Sequence, residues 1–167
     1  MHSPFELPLL RAVTSTPDAE SVDLLVALYA GEPTDAYRAR LPVAARVEFE
    51  AALSRGEALS DLGHVLVAST GAGTPGRVIV VGAGAGALGA DRTRRAVAAA
   101  AHWAREHRCR RIAVDLSHAG GDTERLSAVA AEAVVVANFN HGHMKAAVPQ
   151  PPITEASFVV GPGQRAQ

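Results

Sequence analysis

A single cysteine, Cys109, stands in a chain of 167 residues. No internal disulfide can form, and such usage suits a reducing compartment. Aromatic residues are also scarce, at 4% against 48% for all hydrophobic residues. The core must therefore be assembled from Ala, Val and Leu, with helices lying close to a sheet. Neither sign of charge dominates: 16 Lys and Arg face 17 Asp and Glu, a formal net charge of −1. That balance argues against a nucleic-acid partner, which would call for a concentrated basic face. No apolar run reaches the length of a membrane span, and no basic-then-apolar leader opens the chain. The expectation is a soluble, cytoplasmic protein without a membrane partner, long enough for one domain.

What is present alternates between short apolar runs and helical patterns. Leu7 to Thr14 is interrupted by Pro8, so a strand there lies at an edge or starts after the proline. Val22 to Tyr29 suits an inner strand. Leu41-Pro42 opens a helix to about Arg55, with Gly56 at its left-handed end. Its expected buried stripe is Val43, Val47 and Ala51, with Arg46 and Glu50 facing water. His64 to Ser69 and Arg77 to Val81 are two strands whose connection, residues 70–76, fits an antiparallel hairpin; a parallel crossover needs a dozen residues or more. Asp91, as N-cap, starts a helix to His107, with Ala96, Ala99, Ala100 and Trp103 on one face. Arg111 to Leu116 is the next strand, and Asp122 caps a helix from Thr123 to about Asn138. Ile153 to Val160 is the last strand, followed by a polar tail.

Five features bear on chemistry. Gly82, Gly84, Gly86 and Gly89 follow a strand and precede a helix, and Gly84-x-Gly86-x-x-Gly89 matches the dinucleotide fingerprint, with Asp115 as the acid for a ribose hydroxyl. Asp115 lies beyond the usual spacing of about twenty residues, and such domains usually begin with the motif. The bland reading is a glycine-rich strand-to-helix turn. His141 and His143 are the closest histidine pair, without a carboxylate or thiolate at a recognised metal spacing. Cys109 sits among arginines that could lower its pKa, yet it lacks a base and its orienting partner, and it reads as structural. Ser69, Ser117 and Ser127 lack evident partners, and Arg92, Arg94, Arg95, Arg105, Arg108, Arg110 and Arg111 read as a solvated face that complements the helix dipole. No catalytic or metal-binding residue is assigned.

The order of segments between residues 63 and 161 resembles the N-terminal domain of the leucyl aminopeptidase, or cytosol aminopeptidase, family. Gly63-His-Val-Leu-Val-Ala-Ser69 and Gly76-Arg-Val-Ile-Val-Val-Gly-Ala-Gly84 are similar to its hairpin and strand end. Asp91 to Ala101 is similar to its alanine-rich helix, Ile112 to Leu116 to the next strand, and Ala130 to Ala137 to a later helix. Lys145 falls where the family has a lysine. Ala133 stands in place of the family's glycine, and only Phe139 remains of its aromatic run. The resemblance implies a macro-domain-like α/β three-layer sandwich, a mixed sheet of about six strands with helices on both faces. It implies that residues 1–161 are one non-catalytic accessory domain and that 162–167 begin a linker to a C-terminal catalytic domain. The two divalent metal ions, zinc or manganese, would belong to that absent domain. The parent would be a metal-dependent aminopeptidase assembling as a hexamer. Two alternatives stay open: a Rossmann-like dinucleotide-binding oxidoreductase domain using Gly82, Gly84, Gly86, Gly89 and Asp115, or an ADP-ribose-binding macro-like module.

Overall fold

The structure, a computed structural model, describes residues 7–17, 21–68, 76–118, 122–139 and 150–161. The strands are β1 (Leu9–Val13), β2 (Leu24–Tyr29), β3 (Val65–Ala68), β4 (Val78–Gly82), β5 (Arg111–Asp115) and β6 (Glu155–Val159). The helices are α1 (Asp35–Arg40), α2 (Val43–Ser54), α3 (Ala90–Glu106) and α4 (Thr123–Ala137). One sheet runs in the order β1-β6-β5-β2-β4-β3. Its first four pairings are parallel, and only β3 with β4 is antiparallel. The expected hairpin and mixed sheet are both present, and β1 is an edge strand that starts after Pro8, both as expected.

Composition explains the strand order. β2, β4 and most of β5 are continuous apolar runs buried along their whole length, the pattern of strands covered on both faces. Alternation divides their side chains between two cores. Leu24, Val26, Leu28, Ile79, Val81, Ile112 and Val114 face a layer made by α3 and α4. Leu25, Ala27, Tyr29, Val78 and Val80 face Tyr37 of α1 and Ala45, Phe49 and Ala52 of α2. In the first layer Ala96, Ala100, Ala101 and Ala104 meet Ala130, Ala133, Val134 and Ala137. Small side chains let these helices approach one another and the sheet closely.

Several local expectations are corrected. The buried stripe of α2 is Ala45, Phe49 and Ala52, whereas Val43 and Val47 are 69% and 61% exposed. The aromatic cluster formed by Phe49 with Tyr29 and Tyr37, at centroid distances of 5.0 and 5.4 Å, fixes which side of the helix turns inward. Glu50 does not simply face water, since it accepts from Arg38 Nε at 2.6 Å. The N-cap of α3 is Gly89, and Asp91 lies in the first turn. A short helix not expected from the sequence, α1, follows Thr34, whose side chain accepts from the Tyr37 amide. Arg105 is buried and donates to the carbonyls of Ala137 and Phe139. It thus serves the C-terminal end of α4 and is not part of a solvated face. The Asp122 cap of α4 and the left-handed Gly56 after α2 are as expected.

Candidate functional site

The carboxyl ends of β2, β4 and β5 converge at one edge of the molecule. β2 lies between the other two, and the chain leaves β4 and returns to β5 on the far side of β2 by way of α3. In open α/β sheets this switch point is where ligands find a crevice. A cleft of about 250 Å³ opens there. Ala30, after β2, forms its floor with Gly86, Ala87 and Leu88 of the turn before α3, while Glu32 and Thr34 line the approach to α1. Tyr37 and His118 complete the lining.

The glycines of the turn have reasons of their own. A Cβ on Gly82 would lie 2.0 Å from the Asp61 carbonyl oxygen and 2.6 Å from that of Leu59. Gly82 is therefore demanded by the close approach of the protein's own backbone. Gly84 and Gly86 have φ of +79° and +94°, a region costly for other residues. Arg92 folds over this turn, packing its side chain 3.4 Å from the Cβ position of Gly84 and donating to the Ala85 carbonyl. Gly89 has φ of −109° and caps α3. Asp115, at the end of β5, accepts from the Ser117 amide at 2.9 Å and from the Ser117 hydroxyl, with Arg40 at 3.7 Å. Ser117, without an evident partner in the sequence, is thus partnered by Asp115. Ser127 donates to the Thr123 carbonyl. The sheet is not all-parallel through β4, as the dinucleotide reading requires.

His118, passed over in the sequence, is the residue the structure adds. Its Nε2 lies 2.6 Å from the Leu28 carbonyl oxygen, 90 residues away. A carbonyl oxygen only accepts, so Nε2 carries the proton and Nδ1 of the neutral ring presents a lone pair. Burial pushes the imidazole pKa down, against the opposing pull of Asp115 and the Leu28 carbonyl and with a smaller push from Arg40. The ring meets Tyr37 edge-on at 5.2 Å. Among the described residues neither His118 Nδ1 nor Tyr37 Oη, both buried, has a hydrogen-bond partner, each at a cost of about 1–3 kcal/mol. Burial, then Asp115 and Tyr29, raises the Tyr37 pKa, so its hydroxyl stays protonated.

Elsewhere the chemistry is quiet. Burial raises the Cys109 thiol despite Arg77 nearby, the reverse of the lowering its arginine neighbours suggested. Asp23 lies at the other end of the sheet, accepting from the Arg110 and Arg111 amides at 2.8 and 2.9 Å and from the Arg111 guanidinium. Burial alone would raise its carboxyl, but these bonds outweigh it and hold it below the usual range. Among the described residues no three of His, Cys, Asp and Glu converge to hold a metal ion. This part of the molecule does not fit a dimetal centre. His141, His143, Lys145 and Ser69 lie outside the described residues. No helix among those described is long and apolar enough to cross a membrane.

Residues 25–147 match the sequence profile of the cytosol aminopeptidase family, N-terminal domain. The chain belongs to that family. No curated protein matches the chain in sequence. Among solved structures, a mutant of tomato leucine aminopeptidase is similar at 19% identity and a TM-score of 0.69, over 100% of this chain and 35% of that one. This family member thus spans about a third of the tomato chain. The macrodomain of Thermus aquaticus DarG is similar at 15% identity and a TM-score of 0.61, covering 93% of this chain and 99% of that one. That of Mycobacterium tuberculosis DarG reaches 17% and 0.60, over 92% and 98%. The N-terminal domain of the cytosol aminopeptidase family in this chain is accordingly macrodomain-like, a mixed six-stranded α/β sandwich.

Proposed function

We propose that residues 1–161 are a non-catalytic accessory domain of a leucyl-aminopeptidase-like metallo-exopeptidase. That enzyme would remove N-terminal residues from peptides in the cytoplasm. Its two divalent metal ions, zinc or manganese, would be held by a C-terminal catalytic domain joined through residues 162–167. The observation that carries the reading is the family match over residues 25–147, which falls on the family's N-terminal domain. Assembly is the role it favours: the domain would contribute contacts to a homo-oligomer, a hexamer in the resemblance.

The test uses the polypeptide encoded by the full reading frame. Deleting residues 1–161 from it should reduce the oligomer mass measured by light scattering while leaving the catalytic domain's metal content intact. A frame that closes at Gln167, or an oligomer indifferent to the deletion, contradicts the reading.

The cleft at the strand ends favours a second reading, an ADP-ribose-binding module. It ranks lower because the described lining carries a carboxylate, Glu32, and no Lys or Arg, while Arg92 over the adjacent turn already donates to the Ala85 carbonyl, an unfavourable surround for a diphosphate. Absence of calorimetric heat with millimolar ADP-ribose removes it.

A further inference from the structure

The polar groups of the cleft each offer a lone pair. His118 Nδ1 is a lone-pair acceptor fixed by the bond from Nε2 to the Leu28 carbonyl, and nothing among the described residues donates to it. Tyr37, 4% exposed, has a hydroxyl that can accept as well as donate and also lacks a partner among the described residues. Glu32, exposed on the same lining, adds a carboxylate acceptor. Thr34 adds a hydroxyl, and Ala30, Ala87 and Leu88 give the lining its aliphatic part. Open lone pairs and a carboxylate beside small aliphatic groups suit a cation better than an anion. They suit a head group rich in N–H donors on an apolar body.

We propose that this cleft binds a small primary amine, its ammonium held by His118, Tyr37 and Glu32 and its aliphatic part against Ala30, Ala87 and Leu88. The two orphaned atoms are shut off from solvent. The ammonium therefore enters by parting the rings of Tyr37 and His118, which meet edge to face with centroids 5.2 Å apart. The Nε2 bond to Leu28 remains intact, because only Nδ1 is free to accept. This site stands on the cleft alone and does not require the aminopeptidase reading.

Titration of the 15N-labelled chain with n-butylammonium, and separately with n-butyrate of the same length, tests the proposal by NMR. The amine should move the amide signals of Gly86, Ala87 and Leu88 and the Nδ1 signal of His118 saturably. Butyrate should leave them in place. Glu32→Gln, an exposed position that leaves the fold untouched, should weaken the amine by about fivefold, the worth of one partly exposed charge pair. His118→Phe, checked for folding by circular dichroism, should abolish the saturable shift. Leucinamide and 1,4-diaminobutane then separate a peptide-like N-terminus from a polyamine, with the tighter of the two naming the source. Butyrate binding as well as the amine, or amine shifts unchanged in both variants, overturns the proposal.

Discussion

The two helical layers of the sheet are built on opposite plans. The α3–α4 layer is alanine against alanine, and its buried polar groups include Arg105, which is committed to the end of α4. The α1–α2 layer gathers Tyr29, Tyr37 and Phe49 into one cluster that runs on to His118. Small side chains fill space closely, which suits the first layer to a scaffold. The second layer supplies Tyr37 and His118 to the cleft, and its unpaired atoms, Tyr37 Oη and His118 Nδ1, lie on that lining, whereas those of the first layer, Thr93 Oγ1 and Arg105 Nε, do not. The cleft lies at the strand ends, with Tyr37 of the aromatic layer on one side and Leu88, which packs against the alanine layer, on the other.

The largest expected effect is Phe49→Ala. Phe49 is fully buried, and its loss should cost about 3–5 kcal/mol in chemical denaturation. A loss below about 1 kcal/mol would mean that the aromatic layer is not what holds α2. The opposite substitution probes the other layer: Ala100→Leu should overpack α3 against its neighbours and cost about 1–3 kcal/mol. If Ala100→Leu were neutral, the alanine layer would not be close-packed.

Asp23→Asn comes next, at about 1 kcal/mol, discounted because the side chain is partly exposed. Its folded pKa lies below the unfolded value of 3.8, so its contribution is present above that pH and is lost as pH falls through the folded value. His118 adds a milder acid sensitivity at higher pH. Its folded pKa lies below the ordinary 6.5, so the unfolded chain takes up the proton first, and stability falls as pH drops below about 6.5. A denaturation series from pH 8 to pH 3 should show both declines, with Asp23→Asn flattening the lower and His118→Phe the upper.

The smallest effect has the opposite sign. Tyr37→Phe removes a buried hydroxyl that has no partner and should be neutral or stabilising by up to about 1 kcal/mol. A clear destabilisation would show that the hydroxyl is already satisfied.

These regions also differ in how well the sequence announces them. The hairpin, the inner strand β2, the edge strand β1 and the two alanine-rich helices follow from run length, loop length and capping residues, all local signals. The inward face of α2 does not, because the helix is apolar on two sides and Val43 and Val47 outrank Ala45 and Ala52 by hydropathy. Phe49 settles the matter only through Tyr29 and Tyr37, which come from other elements. α1 is six residues long between Pro33 and Pro42, too short to show a period. His118 is the extreme case: its partner is a backbone carbonyl 90 positions earlier, and a carbonyl leaves no mark in a sequence. Gly82 reads as a phosphate-binding glycine until the Asp61 carbonyl is seen beside it.

Hydrolysis of leucine-p-nitroanilide by the purified 167-residue chain, with zinc or manganese added, tests the division of labour most directly. The account expects no turnover above the metal-only blank. Saturable, metal-dependent release of p-nitroaniline by this chain alone would contradict it.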